Sequence, residues 1–509
     1  MTPPESPATA PADATSATAA PTAPDPVPAT TPARGSYPVL RWLIAATFTV
    51  ILNETIMINA IPRLMADFGV SARSAQWIST SFMLTMAVVI PVTGWFLQRV
   101  TTRAAFATAM AVFTAGTVLA AVAPVFPALI AGRVVQAAGT AVMVPLLMTT
   151  LMTVVAEHDR GRVMGNVTLA ISVAPALGPT VSGLVLGVAG WRWLFIVVLP
   201  VVGVVAAMGL RKLTNVGETR PGRVDWPSVG MAAAGFGGLV YGLSRVGEAE
   251  VGILPAPAWI ALGLVVVGAF ALRQRRLLRG PGPLLDLRTL GYRVYATSLS
   301  MQSLAFLAML GSGILLPLYL QELRGLTPLQ TGLLVAPGGL AMGLLGPVVG
   351  RVYDRVGARP LVVPGSVGVL LGLLGLSRVA EGTPYVVILL LQVVLMVSLA
   401  GLMTPAFTLG LGSLPQRLYS HGSSLLGTTQ QVAAAVGTAV TVTVLSWRER
   451  VALDAGAGAD AAYVAGVEAA FLVMAGLAVG TVVLAAMLPS RPSEVTEPVD
   501  TDEPAAITA

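Results

Sequence analysis

The sequence predicts an all-α protein that spans a membrane, and three observations lead to that prediction. Of its 509 residues, 55% are hydrophobic and only 11% are charged, whereas about 25% of the residues in a typical soluble domain are charged. Apolar runs such as 104–125 and 388–411 exceed the roughly 20 residues that a helix needs to cross a bilayer. These runs lack the period-two alternation of a membrane β-barrel. The spanning elements are therefore predicted to be helices.

Fourteen apolar runs follow one another from residue 39, taking roughly 20 residues as one span. Their approximate limits are 39–61, 76–97, 104–124, 127–154, 163–188, 193–210, 228–244, 253–272, 294–319, 329–349, 360–377, 384–410, 422–446 and 464–488. Spans 7 and 8 are the weakest, because they are interrupted by Gly235, Gly237, Gly238, Pro255 and Pro257. If neither of them crosses the membrane, twelve helices remain and both termini still lie on the same side.

The spans divide the chain into five predicted segments. Residues 37–212 form an N-terminal six-helix half, residues 213–290 an inserted two-helix segment with its flanking loops, and residues 291–488 a C-terminal six-helix half. Residues 1–36, rich in Pro, Ala and Thr, are predicted to be a disordered tail, and residues 489–509 an acidic tail.

The distribution of basic residues predicts the orientation of the chain. With both termini in the cytoplasm, 21 of the thirty Arg and Lys residues lie inside and 8 outside, and Arg133 lies within span 4. The positive-inside rule expects this bias of a multi-pass protein in the cytoplasmic (inner) membrane. The net charge of +6 is therefore attributed to topology, and no nucleic-acid partner is expected, because the arginines do not gather on one basic domain.

Composition also excludes several classes of site. The chain has no cysteine and only two histidines, His158 and His421, so thiolate sites are excluded and a histidine-built zinc site is not expected. Its one lysine, Lys212, lies outside any glycine-rich phosphate-binding loop, so ATP is not expected as a partner. The sequence therefore predicts that the protein is not an enzyme and that it uses no metal or cofactor.

A short motif occurs twice, at an offset of 256 residues. The matched residues are Gly94, Arg99 and Arg103 after span 2, and Gly350, Arg355 and Arg359 after span 10. Gln98 in the first copy stands where the second copy has Asp354. Both copies follow the second span of a six-helix unit on the predicted cytoplasmic side. Parallel repeats of this kind are typical of secondary transporters.

The second copy of this motif resembles the loop signature of the major facilitator superfamily, Gly-x-x-x-Asp-Arg-x-Gly-Arg-Arg. Further segments resemble the fourteen-span drug:proton antiporters of that superfamily, including its multidrug and lincomycin-type exporters. These segments are 52–62, 133–136, 178–183, 191–193, 224–226 and 316–321. The resemblance covers about residues 40–488 and implies the major facilitator fold, with two six-helix halves, two inserted central helices and a cavity lined by spans 1, 4, 9 and 12.

Glu54 is the candidate proton-coupling acid. It lies about fourteen residues, or about 21 Å, from the cytoplasmic start of span 1, and no other acid is predicted to lie deep in a span. An acid at such depth indicates function by default. In the family signature the acid stands at the position of Asn53, so Glu54 is turned by roughly 100° around the helix. A structural hydrogen bond to a neighbouring span is the alternative role.

Arg133 shares one face of span 4 with Gln136 and Thr140, at i+3 and i+7. Its estimated depth is similar to that of Glu54, so the two side chains are predicted to pair or to interact electrostatically. The alternative is an arginine that only anchors the helix by snorkelling.

Three further groups of candidate residues follow from the resemblance and from polarity within the spans. The antiporter signature of span 5 is represented by Gly178, Pro179 and Gly183. The candidates for the substrate cavity are Asn53, Asn59, Gln136, Thr140, Gln302 and Gln392, which could equally satisfy the backbone of another helix. The cytoplasmic gate is expected at Gly94, Arg99, Arg103, Gly350, Asp354, Arg355 and Arg359. Because Gln98 is uncharged, the second copy should carry most of the electrostatic bias of the gate.

The predicted function is proton-coupled multidrug efflux, in which hydrophobic or amphipathic compounds cross the cytoplasmic membrane by alternating access. The expected partners are the small-molecule substrate, protons and the lipid bilayer. Two alternatives stay open. One is a dedicated exporter of a single endogenous metabolite or antibiotic on the same fold, and the other is a membrane receptor or scaffold that does not transport.

Overall fold

The computed structural model describes residues 37–216, 219, 222–246, 254–279 and 282–491, apart from the side chains of residues 58, 59, 72, 73 and 179. The predicted N-terminal tail and most of the acidic C-terminal tail lie outside the described residues. Within those ranges the chain forms fourteen long helices joined by short helices and loops. The long helices are α1 (Pro38–Ile56), α2 (Ala72–Arg99), α3 (Thr102–Ala121), α4 (Phe126–Val154), α5 (Arg160–Val188), α6 (Val198–Lys212), α7 (Trp226–Ser244), α8 (Ala256–Leu277), α9 (Arg293–Leu318), α10 (Pro328–Val356), α11 (Arg359–Leu376), α12 (Tyr385–Gly412), α13 (Tyr419–Asp454) and α14 (Ala459–Met487).

Twelve helical segments in the described part of the chain are long and apolar enough to cross a membrane. The two long helices outside that group are α7, which is rich in glycine, and α13, whose first half carries many Ser, Thr and Gln residues. Span 8 is stronger than predicted, because Pro255 is the N-cap of α8 and Pro257 lies in its first turn, where proline does not interrupt a helix. The all-helical membrane fold is confirmed, while the number of fourteen crossings stays a prediction.

Several helix starts are fixed by side chains that cap them. Ser71 accepts a hydrogen bond from the N–H of Ser74 at the start of α2. At the start of α10, Thr327 and Gln330 bond reciprocally to each other's backbone N–H groups. Such caps satisfy N–H groups that the first turn of a helix leaves without a partner. The start of each of these helices is therefore specified locally.

The described helices bury two large hydrophobic clusters. The first draws mainly on α1–α8 and includes Phe106 and Trp191, and the second draws on α9–α14 and includes Tyr319 and Phe471. The predicted domain boundaries stay predictions, because the first cluster also takes in the beginnings of α9 and α13.

The two halves meet through α5 against α10 and through α2 against α13. We call the end of the bundle that carries the loops after α2 and α10 the motif face. The inserted helices α7 and α8 pack against each other, and α7 also packs against both α2 and α13. The rings of Trp77 in α2 and Tyr241 in α7 lie 5.9 Å apart at their centroids. The inserted pair therefore covers one of the two seams between the halves.

The α5–α10 crossing is closest near the motif face. A Cβ atom added to Gly350 would clash with the backbone of Gly161, and one added to Gly346 would lie 2.7 Å from the carbonyl oxygen of Gly165. Gly183 in α5 and Gly332 in α10 lie on the same sides of these helices but farther from the motif face. A Cβ atom added to either glycine would meet no atom within 4 Å. The two helices thus touch by their backbones at the motif face and separate beyond the middle of the bundle.

Candidate functional site

Arg133 lies inside the first half, with 1% of its surface exposed. It donates to Oε1 of Gln136 at 3.0 Å, and it reaches Oδ1 of Asn53 at 3.5 Å. Its guanidinium group also lies 4.2 Å from the centroid of the Phe82 ring. Within the described residues its Nε atom has no hydrogen-bond partner. A buried cation held by neutral groups is costly unless a negative charge acts on it.

Gln136 joins three helices of the first half. Its Nε2 donates to Oδ1 of Asn53 in α1 at 3.1 Å and to Oγ1 of Thr117 in α3 at 2.8 Å. The hydroxyl of Thr140 donates to the carbonyl oxygen of Gln136 at 3.0 Å. All four residues are buried. The structure therefore brings together Asn53, Arg133, Gln136 and Thr140, four of the residues that the sequence singled out.

Glu54 does not join this hydrogen-bond network. Its side chain is partly exposed, and within the described part of the chain it makes neither a hydrogen bond nor an ion pair. One residue of helix separates it from Asn53, so the two side chains point in different directions. Glu54 and Arg133 nevertheless lie close enough for their charges to interact. The two side chains do not pair directly, and their electrostatic coupling stays a prediction.

The residue after Glu54 contacts the antiporter signature of α5. A Cβ atom added to Gly178 would clash with the side chain of Thr55, so the glycine permits a close approach of α5 to α1 beside the acid. Gly183 lies farther along α5 with open space around it. The side chain of Pro179 lies outside the described residues. Gly178 thus lies beside the segment of α1 that carries Glu54, whereas Gly183 lies where α5 and α10 have separated, away from the motif face.

Gln302 in α9 and Gln392 in α12 are each 1% exposed. Within the described residues, neither amide atom of Gln302 has a hydrogen-bond partner, and Oε1 of Gln392 also lacks one. Buried amide groups without partners are uncommon in folded proteins. The structure does not connect them to the Arg133 network, and the side chain of Asn59 lies outside the described residues.

The second copy of the motif acts at the start of α5. The carboxylate of Asp354 accepts hydrogen bonds from the N–H groups of Gly161 and Arg162, both at 2.8 Å. A carboxylate is favourable there, because the N-terminus of a helix carries partial positive charge. Arg359 is the first residue of α11, and the carbonyl of Arg355 accepts a hydrogen bond from Arg491.

The first copy of the motif makes different contacts. Nε2 of Gln98 donates to the carbonyl oxygen of Arg417 at 3.0 Å. Arg99 lies over the ring of Trp95 at 5.3 Å, and the backbone N–H of Arg103 donates to Asn215 at 3.2 Å. Gly94 packs against α13, where an added Cβ would lie 3.0 Å from Nδ1 of His421.

Sequence reasoning missed two residues that contact the Arg133 network. Thr117 and Phe82 contact the network, but a threonine or a phenylalanine in an apolar helix gives no signal of such a role. Glu468 was predicted to lie only four residues into span 14. Because α14 begins at Ala459, Glu468 is its tenth residue and is partly buried. The expectation that Glu54 is the only acid deep in a span stays a prediction.

A helical bundle whose two halves close on each other at one end fits the repeat architecture of many secondary transporters. The family profile described as Major Facilitator Superfamily matches residues 43–438. The chain belongs to the major facilitator superfamily and is a multi-pass membrane transporter. The predicted family and fold are thereby confirmed.

Bacterial relatives, two of which are named for drug resistance, match most of the chain. The lincomycin resistance protein LmrB of Listeria monocytogenes is 36% identical over 440 residues, which span 86% of this chain and 93% of that protein. The uncharacterized MFS-type transporter YcnB of Bacillus subtilis is 38% identical over 456 residues, or 89% of this chain and 95% of YcnB. The putative multidrug resistance protein MdtD of Klebsiella pneumoniae is 33% identical over 407 residues, or 78% of this chain and 84% of MdtD.

Solved structures share the fold at low sequence identity. The human organic anion transporter MFSD10 (TETRAN) superposes with a TM-score of 0.63 at 14% identity, covering 88% of this chain and 100% of that one. The proton:xylose symporter XylE gives a TM-score of 0.61 at 15% identity, covering 89% of this chain and 95% of XylE. At these identities the likeness concerns the fold alone.

Proposed function

We propose that the protein exports hydrophobic or amphipathic compounds in exchange for protons. The observation that carries this proposal is the relation between Glu54 and Arg133. A carboxylate without a hydrogen bond or ion pair in the described residues acts on a buried cation whose hydrogen-bond partners are neutral. Relatives named for lincomycin resistance and multidrug resistance support a drug-like substrate.

In this mechanism the proton changes the balance of charge around Arg133. Ionised Glu54 offsets the buried cation, and protonation of Glu54 removes that offset. Arg133 then depends on Asn53, Gln136 and the Phe82 ring, so an arrangement of α1 and α4 that solvates the guanidinium better becomes favourable. Substrate and proton exchange if they favour opposite arrangements of the same two-state bundle.

The unsatisfied amides of the second half are suited to contact the substrate. Gln302 and Gln392 are buried, and the atoms identified above can donate to or accept from a polar group on an otherwise apolar compound. A bound compound would then supply the hydrogen-bond partners that these amide atoms lack among the described residues. This assigns proton coupling to the first half and polar recognition to the second.

We further propose that the motif face lies in the cytoplasm of a cell with both chain termini inside. The excess of arginine on that face supports this orientation. The close α5–α10 crossing at that face then corresponds to an outward-facing conformation. Because the chain has no cysteine, single cysteines report the orientation directly. Arg279→Cys should resist an impermeant thiol reagent added to whole cells and Gly458→Cys should react, whereas the reverse pattern contradicts the orientation.

The experiment that tests proton coupling is substrate uptake into inverted membrane vesicles with an imposed pH gradient. The probes are lincomycin and the lipophilic cation tetraphenylphosphonium. Glu54→Gln keeps the shape of the side chain but cannot titrate, so we expect it to abolish pH-driven uptake at matched protein levels. Glu468→Gln removes a partly buried acid of α14 and should retain at least about half of wild-type uptake.

The same assay separates the alternatives. Retained pH-driven uptake in Glu54→Gln would show that the coupling acid lies elsewhere. If wild-type vesicles accumulate neither probe, the proposal of drug export fails. Competition between the two unrelated probes supports multidrug export, whereas uptake of lincomycin alone supports a dedicated exporter.

A further inference from the structure

Three pairs of Ser and Thr side chains bond the two halves to each other, within the residues that the structure describes. They connect α2 and α4 to α13, and α5 to α12. The pairs are Thr93 with Ser424, Thr149 with Ser423 and Thr168 with Thr404, whose hydroxyl oxygens lie 3.3, 2.9 and 2.9 Å apart. We call these six residues the hydroxyl layer. They belong neither to the proton-coupling site nor to the substrate candidates nor to the two motif copies.

The six residues lie at a similar depth below the motif face. Each stands between four and eight residues from the end of its helix on that face, which corresponds to about 6–12 Å of helix. Glu54 and Arg133 lie farther inside, near the opposite ends of α1 and α4. The hydroxyl layer therefore lies between the motif face and the part of the bundle that holds the proton-coupling site.

The layer is uncharged and largely buried. Thr404 and Ser424 are fully buried, and Ser423 is 3% exposed. Ser424 also donates to the carbonyl of Ile90 in α2, and Ser423 donates to the carbonyl of Pro145 in α4 at 3.3 Å. Both serines of α13 therefore contact a side chain and the backbone of the first half.

Neutral hydroxyls suit a contact that must form and break in every transport cycle. A hydrogen bond between neutral groups contributes little net free energy, because water replaces the partner once the pair separates. An apolar contact at the same place would resist the entry of water, whereas a charge-assisted hydrogen bond would hold the halves more strongly. The layer can thus close the bundle without making it costly to reopen.

We propose that the hydroxyl layer is the inner seal of the bundle. It holds the halves together in the closed conformation and opens when water replaces the partner of each hydroxyl. This role rests on the alternating access proposed above, but it concerns neither the substrate nor the coupling acid. The α5–α12 pair is the most informative, because in the described residues the hydroxyls of Thr168 and Thr404 bond only to each other. If either hydroxyl is removed, the other is buried without its partner, which is costly.

The test is the distance between two spin labels on the motif face, measured by double electron–electron resonance on the purified full-length protein in lipid nanodiscs. Because the chain has no cysteine, Glu157→Cys and Gln416→Cys place one label on each half, both at exposed positions. A short distance reports the closed motif face and a long distance reports the open one. The measurement needs neither a substrate nor a pH gradient.

Variants of the α5–α12 pair should move this equilibrium in opposite directions. Thr168→Val removes one partner and penalises only the closed conformation, so we expect the ratio of long to short distances to rise about fivefold. The double variant Thr168→Val with Thr404→Val should return the ratio to the wild-type value or below it, because two valines pack together when closed and meet water when open. Thr168→Ser keeps the hydroxyl and should stay within about twofold of wild type.

Thr114→Val is the matched control, because the hydroxyl of Thr114 bonds to a carbonyl of its own helix and not to the other half. Thr149→Val tests a second pair and should raise the ratio less than Thr168→Val, since Ser423 keeps its bond to the backbone of α4. If neither variant exceeds the control, or if the double valine opens more than Thr168→Val, the inference is overturned; Thr149→Val decides alone if Thr168→Val fails to fold. A failure of drug uptake by wild-type vesicles would refute the proposed export and leave the distance ratio unchanged.

Discussion

The two crossings that join the halves at the motif face occupy equivalent positions in the repeat but differ in chemistry. At the α5–α10 crossing, glycines on both helices bring the backbones together and Asp354 accepts from two N–H groups of α5. At the α2–α13 crossing, the contacts are made by side chains. Thr93 donates to the hydroxyl of Ser424 at 3.3 Å, and Ser424 donates to the carbonyl of Ile90.

The difference extends to what surrounds each crossing. The α2–α13 crossing is covered by α7 on its outer side and borders a cavity that is lined in part by Asp286 and His421, whereas α5 and α10 hold each other by direct backbone contact and a charge. A backbone contact cannot relax around an added atom as easily as a side-chain contact can. The repeated glycines Gly94 and Gly350 therefore lie where the halves meet, but the chemistry of each crossing depends on the charge of Asp354 and on the residues that the partner helix presents.

The largest effect is expected from adding one methyl group to each equivalent glycine. In Gly350→Ala the new Cβ would meet the backbone of Gly161, whereas in Gly94→Ala it would meet mainly side-chain atoms of His421 and Ser424. Overpacking against a rigid neighbour costs roughly 1–3 kcal/mol, so export by Gly350→Ala should fall at least about tenfold. Gly94→Ala should retain about half of wild-type export or more. Equal losses at matched expression would remove the proposed contrast.

A smaller effect is expected from the two equivalent polar residues. Asp354→Asn removes the negative charge at the start of α5, and the new side chain can accept hydrogen bonds only with its one amide oxygen. Loss of such a cap costs roughly 0.5–2 kcal/mol, so we expect export to fall about fivefold. Gln98→Ala loses two hydrogen bonds at a partly exposed position, so export should stay within about twofold of wild type. Transport by both variants is measured in the inverted-vesicle assay. A loss in Gln98→Ala as large as that in Asp354→Asn would contradict the electrostatic asymmetry.

Much of this fold could be predicted, because the apolar runs that a bilayer requires are long and unambiguous. The predicted limits of α9, 294–319, lie within one residue of Arg293–Leu318. The limits of α13 were predicted less well. Its apolar run ends near residue 446, yet the helix continues to Asp454 through residues such as Arg448, Glu449 and Arg450, which are good helix formers. Hydropathy locates the part of a helix within lipid and does not locate the end of the helix.

The site could be predicted only where it depends on a single helix. Arg133, Gln136 and Thr140 share one face by their spacing, and the structure links all three. The contact of Gln136 with Asn53 joins residues 83 positions apart, and no spacing rule covers it. A cavity at the motif face brings Asp286, from the segment between α8 and α9, beside His421 of α13, and neither residue belongs to a recognised motif. Contacts between helices depend on packing geometry that one sequence does not encode in its periodicity.

The smallest effect is expected at the anchor of the inserted pair, and it tests whether α7 supports the α2–α13 crossing. Asp225 caps α7 and accepts from Arg273 at 2.7 and 2.8 Å, and these hydrogen bonds hold the pKa of Asp225 at about 2. The stability that they contribute is present above the unfolded pKa of about 3.9 and is lost as the pH falls towards 2. At neutral pH, Asp225→Asn should therefore lower the free energy of unfolding by about 1 kcal/mol, because the pair is partly exposed.

Hydrogen exchange measured by mass spectrometry locates this loss. In Asp225→Asn, peptides of α7, α2 and α13 should exchange faster while those of α5 and α10 keep the wild-type rate, because α7 packs on the α2–α13 crossing and not on the α5–α10 crossing. Asp460→Asn is the control, since Asp460 is an exposed acid in the first turn of α14, remote from the inserted pair. If exchange rises equally at both crossings, the inserted pair supports the bundle as a whole. If it rises at α7 alone, the α2–α13 crossing is stable without its cover, and the contrast between the crossings lies entirely in their own contacts.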